Sequence, residues 1–364
     1  MPLAQPRTGV GTYTFELARA LAAAASEDEF QLISPLPFEE PVPTDGRPAN
    51  LELIYSRPNL LQRRWWTVGL PSYIRRHPLA LFHGTNYEVP LREHCPAVVT
   101  IHDLSLLVHS SMHPARAVRR ARLLLPLMAR KARVIITPSE FVRNEVYELL
   151  KMPPEKVFAT PLAPRSMFTP MPMTETVETR RRLGIDSEFL LYVGTIEPRK
   201  NLSTLLKAFE DVLRTTDLRP QLVIAGKVGW KVNDVLAQAR ELAIQDRGRL
   251  RLVGFVSDED LRVLYSSCRA FIYPSIYEGF GLPPLEAMAC GAPVIASLVP
   301  SIKESVARIV SATDSIKLAE AIVELLTDEQ ARHSLSERGL KHAREFSWQR
   351  TAALTREVYE RALS

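Results

Sequence analysis

Short apolar runs rich in Val, Ile, Leu and aromatic residues recur along this chain, and most are separated by stretches with helical spacing. In the first half they are Phe30–Ser34, Leu51–Tyr55, Leu79–His83, Ala97–His102, Val134–Thr137 and Val157–Ala159. In the second half they are Phe189–Val193, Gln221–Ala225, Arg249–Val253, Ala270–Tyr273 and Val294–Ala296. Strands that alternate with helices build parallel sheets from βαβ units. The stretch Pro164 to Thr179 has no clean period and reads as a linker. At 364 residues the chain is long for one core and comfortable for two. The expected division is 1–170, 171–346, and a closing helix in 347–364 with Ser347 as its N-cap.

Composition narrows the class. A hydrophobic content of 46% with 24% charged residues fits a soluble globular protein. No stretch approaches the ~18–20 apolar residues of a membrane-spanning helix, and Met1–Arg7 lacks the apolar region of a signal peptide. Cys95, Cys268 and Cys290 offer neither a disulfide framework nor a zinc spacing, so a cytoplasmic location is expected.

The chemistry concentrates in the second half. Ala270–Tyr273 runs into Pro274-Ser275-Ile276-Tyr277-Glu278-Gly279-Phe280-Gly281-Leu282-Pro283-Pro284-Leu285-Glu286. A strand that feeds a glycine loop and then a proline-started helix forms an anion cradle. Glu286, expected in the first helical turn, is suited to accept hydrogen bonds from the hydroxyls of a ribose, and Glu278 faces what precedes the anion. A strand–turn–helix with a dipole-complementing Glu286 is the plainer reading of the same run. A second element has the same form: Leu190–Gly194, then Thr195-Ile196-Glu197-Pro198-Arg199-Lys200-Asn201, then the helical stretch Leu202–Phe209. Arg199 and Lys200 therefore sit at the ligand edge of an open α/β sheet. Like charges repel by ~4 kcal/mol at 4 Å and an effective dielectric of 20, which a diphosphate between them would reverse.

Together, Gly194–Leu202 and Glu278–Glu286 resemble the paired signatures of the retaining, nucleotide-sugar-dependent glycosyltransferases of family 4. Gly254-Phe255-Val256-Ser257 and Gly291–Ser297 lie between and beyond them in the family's order, and the bacterial mannosyltransferase-like branch is the nearest in pattern. The resemblance implies the GT-B fold, two Rossmann-like domains with parallel sheets facing across a cleft. The first domain would serve the acceptor and the second the nucleotide sugar, with the closing helix returning to the first. It implies donor contacts at Gly194, Phe255, Val256, Gly279, Phe280, Gly281, Leu282 and Glu286, and catalytic roles for Glu278, His102, Arg199 and Lys200. Arg199, Lys200 and the loop amides would carry the leaving-group charge that a metal carries elsewhere, so neither metal nor cofactor is expected. The nucleotide sugar is a substrate, GDP-mannose by resemblance. Glu278 would hold sugar hydroxyls rather than act as nucleophile. The acceptor would be a glycan or a polyprenyl-diphosphate-linked glycan. A nucleotide-sugar epimerase and a noncatalytic GT-B scaffold are the alternatives.

First-half signals are weaker. Thr8-Gly9-Val10-Gly11-Thr12-Tyr13 reads as a glycine turn before a helix from Thr14 to Ala24, and Thr14 stands where a dinucleotide fingerprint needs glycine. By resemblance, Gly9 and Gly11 approach donor or acceptor, His102 of Thr100-Ile101-His102-Asp103-Leu104 contacts the transferred sugar, and Asn86 lines the acceptor side. Relatives carry a short strand ahead of the glycine turn. Only seven residues precede Thr8 here, so either translation begins upstream of Met1, which is the expectation, or the first domain lacks its opening strand. Between Ser297 and Leu318 the chain also runs shorter than the family pattern. Ser139 is expected to cap the helix Glu140–Leu150, and Asp258-Glu259-Asp260 to be a capped acidic helix start rather than a metal motif. The basic excess lies in the first half, and no acidic residue occurs from Leu104 to Ser139. With Arg63, Arg64, Trp65, Trp66, Arg75 and Arg76 this charge suits peripheral contact with an anionic membrane, a solvated helix face with the tryptophans packed in the core being the plainer reading, and no motif supports nucleic-acid binding.

Overall fold

The computed structural model describes residues 9–38, 46–57, 64–90, 95–245 and 249–364. They form two compact units: Met1–Leu107, Arg119–Ala163 and Ser347–Ser364 in one, Val108–Val118 and Pro164–Phe346 in the other. The expected boundary at residue 170 thus falls inside the second unit, and the segment Val108–Val118 joins it as well.

In the first unit the elements run α1 (Gly9–Ala24), β1 (Phe30–Ser34), β2 (Leu51–Tyr55), α2 (Leu70–Arg76), β3 (Phe82–Gly84) and β4 (Ala97–Thr100). They continue with α3 (Ser105–Val108), α4 (Ala115–Lys131, whose residues up to Val118 belong to the second unit), β5 (Val134–Thr137), α5 (Glu140–Leu150) and β6 (Val157–Ala159). The strands form a parallel pair, β1–β2, and a parallel four-stranded sheet, β3–β4–β5–β6. The glycine turn is absent: Gly9, Val10 and Gly11 are already helical, so α1 starts five residues before the expected Thr14. The expected preceding strand, and the reading of where translation starts, fall on residues 1–8, outside the described residues. Ser139 caps α5, its hydroxyl accepting from the Val142 amide at 3.2 Å. Trp65 is buried beside Leu70 and Ile74, and Trp66 packs against them, so the tryptophans belong to the core rather than to a basic face. Arg63 lies outside the described residues.

The second unit contains α6 (Met173–Arg182), β7 (Phe189–Val193), α7 (Leu202–Thr215), β8 (Gln221–Ala225), α8 (Asn233–Gln245) and β9 (Leu250–Gly254). It continues with α9 (Asp258–Ser267), β10 (Ala270–Tyr273), α10 (Leu282–Ala289), β11 (Val294–Ala296), β12 (Arg308–Ile309), α11 (Ser315–Thr327) and α12 (Glu329–Ala343). Part of the expected linker is therefore helical. Only Thr176 of α6 is buried, so this helix has no apolar stripe to betray it. The sheet is wholly parallel, in the order β12-β11-β10-β7-β8-β9. Every residue of β8 and β10 is buried, which explains their unbroken apolar runs. Helix α7 turns Leu202, Leu205, Leu206, Phe209 and Val212 onto the sheet, the spacing of a helix with one apolar face.

The last helix, α13 (Trp348–Leu363), leaves the second unit and completes the first. Val358 and Ala362 join Val98, Val134 and Ile136 in one cluster. Thr351 donates to the Pro161 carbonyl at 2.6 Å, and Tyr359 bonds His83 Nδ1 at 2.7 Å.

Where β7 and β8 end, two backbones touch. A Cβ on Gly226 would stand 2.0 Å from the Gly194 carbonyl oxygen, and Gly226 has φ +142°. Gly226→Ala should therefore destabilise the protein by about 2–3 kcal/mol, as overpacking against an immovable backbone does. Urea denaturation checks this, and an unshifted midpoint would contradict the close approach.

Candidate donor site

The sheet of the second unit reverses its winding between β10 and β7, the position at which open α/β sheets bind ligands. The loop after β7 carries Arg199 and Lys200, and the loop after β10 carries Glu278. The structure brings all three into contact. Lys200 Nζ donates to Glu278 Oε1 at 2.6 Å, and Arg199 Nη1 lies 3.0 Å from Glu278 Oε2. Tyr273 and Ser275 hydroxyls add bonds to Oε1 at 2.9 and 2.5 Å. Lys200 also donates to the Tyr273 oxygen at 2.6 Å. Arg199 Nη2 donates to buried Glu197 at 2.8 Å, and Nη1 to the Tyr277 carbonyl at 2.7 Å.

This corrects one expectation. Arg199 and Lys200 do not need a bound diphosphate to relieve their repulsion, because Glu197 and Glu278 already neutralise them. Two acids and two bases form a locally balanced group. Burial raises the Glu278 pKa, but Lys200 and Arg199 outweigh burial and hold it down at about 2. Burial lowers the Lys200 pKa against the pull of Glu278, and burial raises that of Glu197 against the pull of Arg199.

Residues without an assigned role set this geometry. Asn201 takes the left-handed conformation, φ 55°, which Asn tolerates better than most residues. Its Nδ2 donates to the Pro274 carbonyl at 3.0 Å and to Ala312 at 2.5 Å, tying the β7 loop to the β10 loop. The Ile276 amide donates to the Arg199 carbonyl at 2.8 Å, closing the same junction. Asparagine directly after two cations at a helix start was the available signal. His109, in the segment Val108–Val118, sets its ring 5.2 Å from Tyr277. Trp230 and Lys231 hold that segment by donating to the carbonyls of Met112 and Ser111 at 2.9 and 2.7 Å. No sequence pattern announced it.

The glycine loop is equally fixed. Gly281 has φ +98°, and a Cβ there would meet Val299 at 2.7 Å and Ser301 Oγ at 2.9 Å. Ser301 donates through its hydroxyl to the Gly281 carbonyl at 2.7 Å and through its amide to Phe280 at 2.9 Å. Leu282 follows as the first residue of α10, at the end of the run Gly279-Phe280-Gly281. Glu286 is the fifth residue of α10, not part of its first turn, because the helix starts at Leu282. It is buried, with Arg165 Nε 3.9 Å away. Gly194 lies at the end of β7 beside Tyr192 and Lys200. Phe255, 59% exposed with Lys227 4.8 Å from its ring centre, and Val256 follow β9. Asp258 and Asp260 pair with Arg165 and Arg182. Ser257 caps their helix, accepting from Asp260 at 3.1 Å.

The first unit gathers its own candidates at the carboxyl ends of β3 and β4. His102 Nε2 donates to the Thr85 carbonyl at 2.8 Å, which leaves Nδ1 as the acceptor nitrogen of the neutral ring. Burial lowers its pKa. Tyr13 of α1 meets the His102 ring edge-on at 4.8 Å, and Thr14 donates to Thr85 Oγ1 at 2.9 Å. Gly9 and Gly11 lie one turn earlier in α1, and Asn86 lines a cavity of ≈ 770 Å³ with Thr14, Trp66 and Tyr359.

Two family models match: Glycosyltransferase Family 4 over residues 7–162 and Glycosyl transferases group 1 over 176–342. The O-antigen chain mannosyltransferase B of Escherichia coli is 34% identical over 380 aligned positions, 99% of this chain and 97% of the relative. The D-inositol 3-phosphate glycosyltransferase of Thermobispora bispora is 29% identical over 84% of this chain and 71% of its own. Among solved structures, Anabaena Alr3699/HepE in complex with UDP-glucose superposes with TM-score 0.78 at 16% identity, covering 98% and 97% of the two chains. WaaG, a glycosyltransferase involved in lipopolysaccharide biosynthesis, gives 0.75 at 16% identity over 97% and 96%. The fold is GT-B. The chain belongs to glycosyltransferase family 4, in its bacterial mannosyltransferase-like branch.

Because the folded Glu278 value lies below that of the free side chain, its ionised form favours the native state at neutral pH. That contribution fades as pH falls from the unfolded value toward about 2. Glu278→Gln should cost about 3 kcal/mol at pH 7, and the gap to the natural chain should roughly halve by pH 3. Denaturant titration at the two pH values measures it; a gap independent of pH would contradict an ionised, cation-held Glu278.

Proposed function

We propose that this chain transfers mannose from GDP-mannose, with retention and without a metal, onto a glycan or polyprenyl-diphosphate-linked acceptor in surface-polysaccharide synthesis. It would work in the cytoplasm, peripherally at the inner membrane face. The observation that carries the reading is the contact of Arg199 and Lys200 with Glu278 at the winding reversal of the second sheet. The name of the Escherichia coli relative, which matches along nearly the whole chain, supports mannose and a polysaccharide product.

Breaking a sugar–diphosphate bond places negative charge on the leaving phosphate and positive charge on the ring. Arg199 and Lys200 answer the first need: preorganised cations in a water-poor site stabilise developing charge. Glu278 answers the second. With a pKa near 2 it holds no proton to give at neutral pH, and both its oxygens are engaged, which makes it a poor nucleophile. An arriving diphosphate takes over Lys200 and Arg199, and the released carboxylate oxygens accept sugar hydroxyls instead. Glu286 holds the ribose, and Phe255 and Val256 flank the base. The loop from Gly279 to Leu282 lies beside the diphosphate. Retention follows if a donor phosphate oxygen takes the acceptor proton on the face that the leaving group vacates.

Competition between Glu278 and the diphosphate gives the variants opposite signatures. Glu278→Gln should lower transfer by a hundredfold or more while GDP binds several-fold tighter, since one competing carboxylate is gone. Lys200→Ala should lower transfer and weaken GDP together. Calorimetry beside a turnover assay reads both; unchanged transfer in either variant removes the assignment. Incubation with a panel of nucleotide sugars and a lipid-linked acceptor should release nucleoside diphosphate from GDP-mannose above all others. Release from UDP-sugars alone overturns the donor, and no release with any donor overturns the enzyme reading.

A further inference from the structure

Arg199 and Lys200 with Glu197 and Glu278 make a group that is neutral as a whole, so it has no positive charge to spare for an arriving diphosphate. If the cations change partners, their carboxylates stay behind. A partly buried site that gains anionic charge needs a compensating charge with it. Histidine is the side chain that supplies one near neutral pH. His109 stands at this place. Its half-buried ring meets Tyr277 edge-on, with centres 5.2 Å apart. Tyr277 precedes Glu278, and its carbonyl accepts from Arg199 Nη1 at 2.7 Å. The backbone around His109 is pinned rather than loose. Its carbonyl accepts from the Met112 amide at 3.0 Å, Trp230 and Lys231 hold Met112 and Ser111, and the His113 ring lies 5.8 Å from that of Trp230. Arg199 of the β7 loop is the charged group that bears on the ring, and Glu278 follows Tyr277 on the β10 loop. The segment of His109 brings no acid of its own, since none occurs from Leu104 to Ser139. Burial, and then Arg199, lower the His109 pKa, so the ring is neutral at pH 7. A diphosphate on Arg199 would reverse the field at the ring and favour the imidazolium.

We infer that His109 is a donor-binding residue that meets the diphosphate as an imidazolium and takes up its proton as the nucleotide sugar arrives. The inference rests on the donor reading above, and the test separates the two. The full chain is titrated calorimetrically with GDP-mannose and, separately, with UDP-glucose, without acceptor, in PIPES and in Tris buffer. Each probe is a diphosphate diester whose phosphates hold no proton near neutral pH, so the difference in heat between buffers counts protons taken up by the protein. At pH 7.5 binding should take up about half a proton or more, and by linkage affinity should rise as pH falls from about 8.5 to about 6.5. His109→Gln should take up none, and should bind about tenfold more weakly at pH 6.5 but within about twofold at pH 8.5, as loss of a charge-assisted hydrogen bond requires. His109→Lys, a permanent cation, should recover the affinity with no uptake and a flat pH profile. A merely structural histidine would move none of these proton counts. Binding by the natural chain without proton uptake, or uptake undiminished in His109→Gln, would overturn the role of His109 and leave the donor reading standing. Failure of both probes to bind would overturn both.

Discussion

A carboxylate held between two cations organises the second unit of this protein. Strands β7 and β10 lie side by side and parallel, so their carboxyl ends open at one edge of the sheet. That geometry is what lets residues 78 positions apart, Arg199 and Tyr277, or Lys200 and Glu278, share hydrogen bonds. Asn201 clamps the two loops from below, and Gly281 admits a turn that any side chain would block against Val299 and Ser301. The loops are therefore held together by Asn201 and the Ile276 amide as well as by the ion pairs themselves. A buried ion pair pays a large desolvation cost, and here several hydrogen bonds offset it.

The balance of that group matters for what it does. Arg199 and Lys200 face a local anion already, so the diphosphate of the proposed donor would exchange partners rather than fill a bare positive site. Exchange of equivalent charges costs less than creating a new buried charge. In the proposed reaction it would also couple donor arrival to release of Glu278, so that the residue would meet sugar hydroxyls only once a diphosphate is seated.

Much of this was legible in the chain. The runs Phe189–Val193, Gln221–Ala225, Ala270–Tyr273 and Val294–Ala296 match β7, β8, β10 and β11 residue for residue, because strands buried on both faces write unbroken apolar words. Strand β12 was missed since Arg308–Ile309 is two residues long and half exposed. Strand β3 begins three residues later than the apolar run Leu79–His83. Helix α6 was read as a linker because Thr, Glu and Arg dominate it and one residue alone is buried. Charge partners were the least legible. Adjacent Arg199 and Lys200 announced a cation pair, yet nothing in linear order says that Glu197 and Glu278 would satisfy it. Partner choice is a property of the sheet order, which local spacing does not encode.

The most direct test is a crystal structure of the chain with GDP. The account predicts diphosphate oxygens within hydrogen-bond distance of Arg199 and Lys200, at the ends of β7 and β10, with the Glu278 carboxylate turned away from at least one of the two. Density for GDP at any other place, or with the Glu278 contacts to both cations intact beside it, would contradict the account.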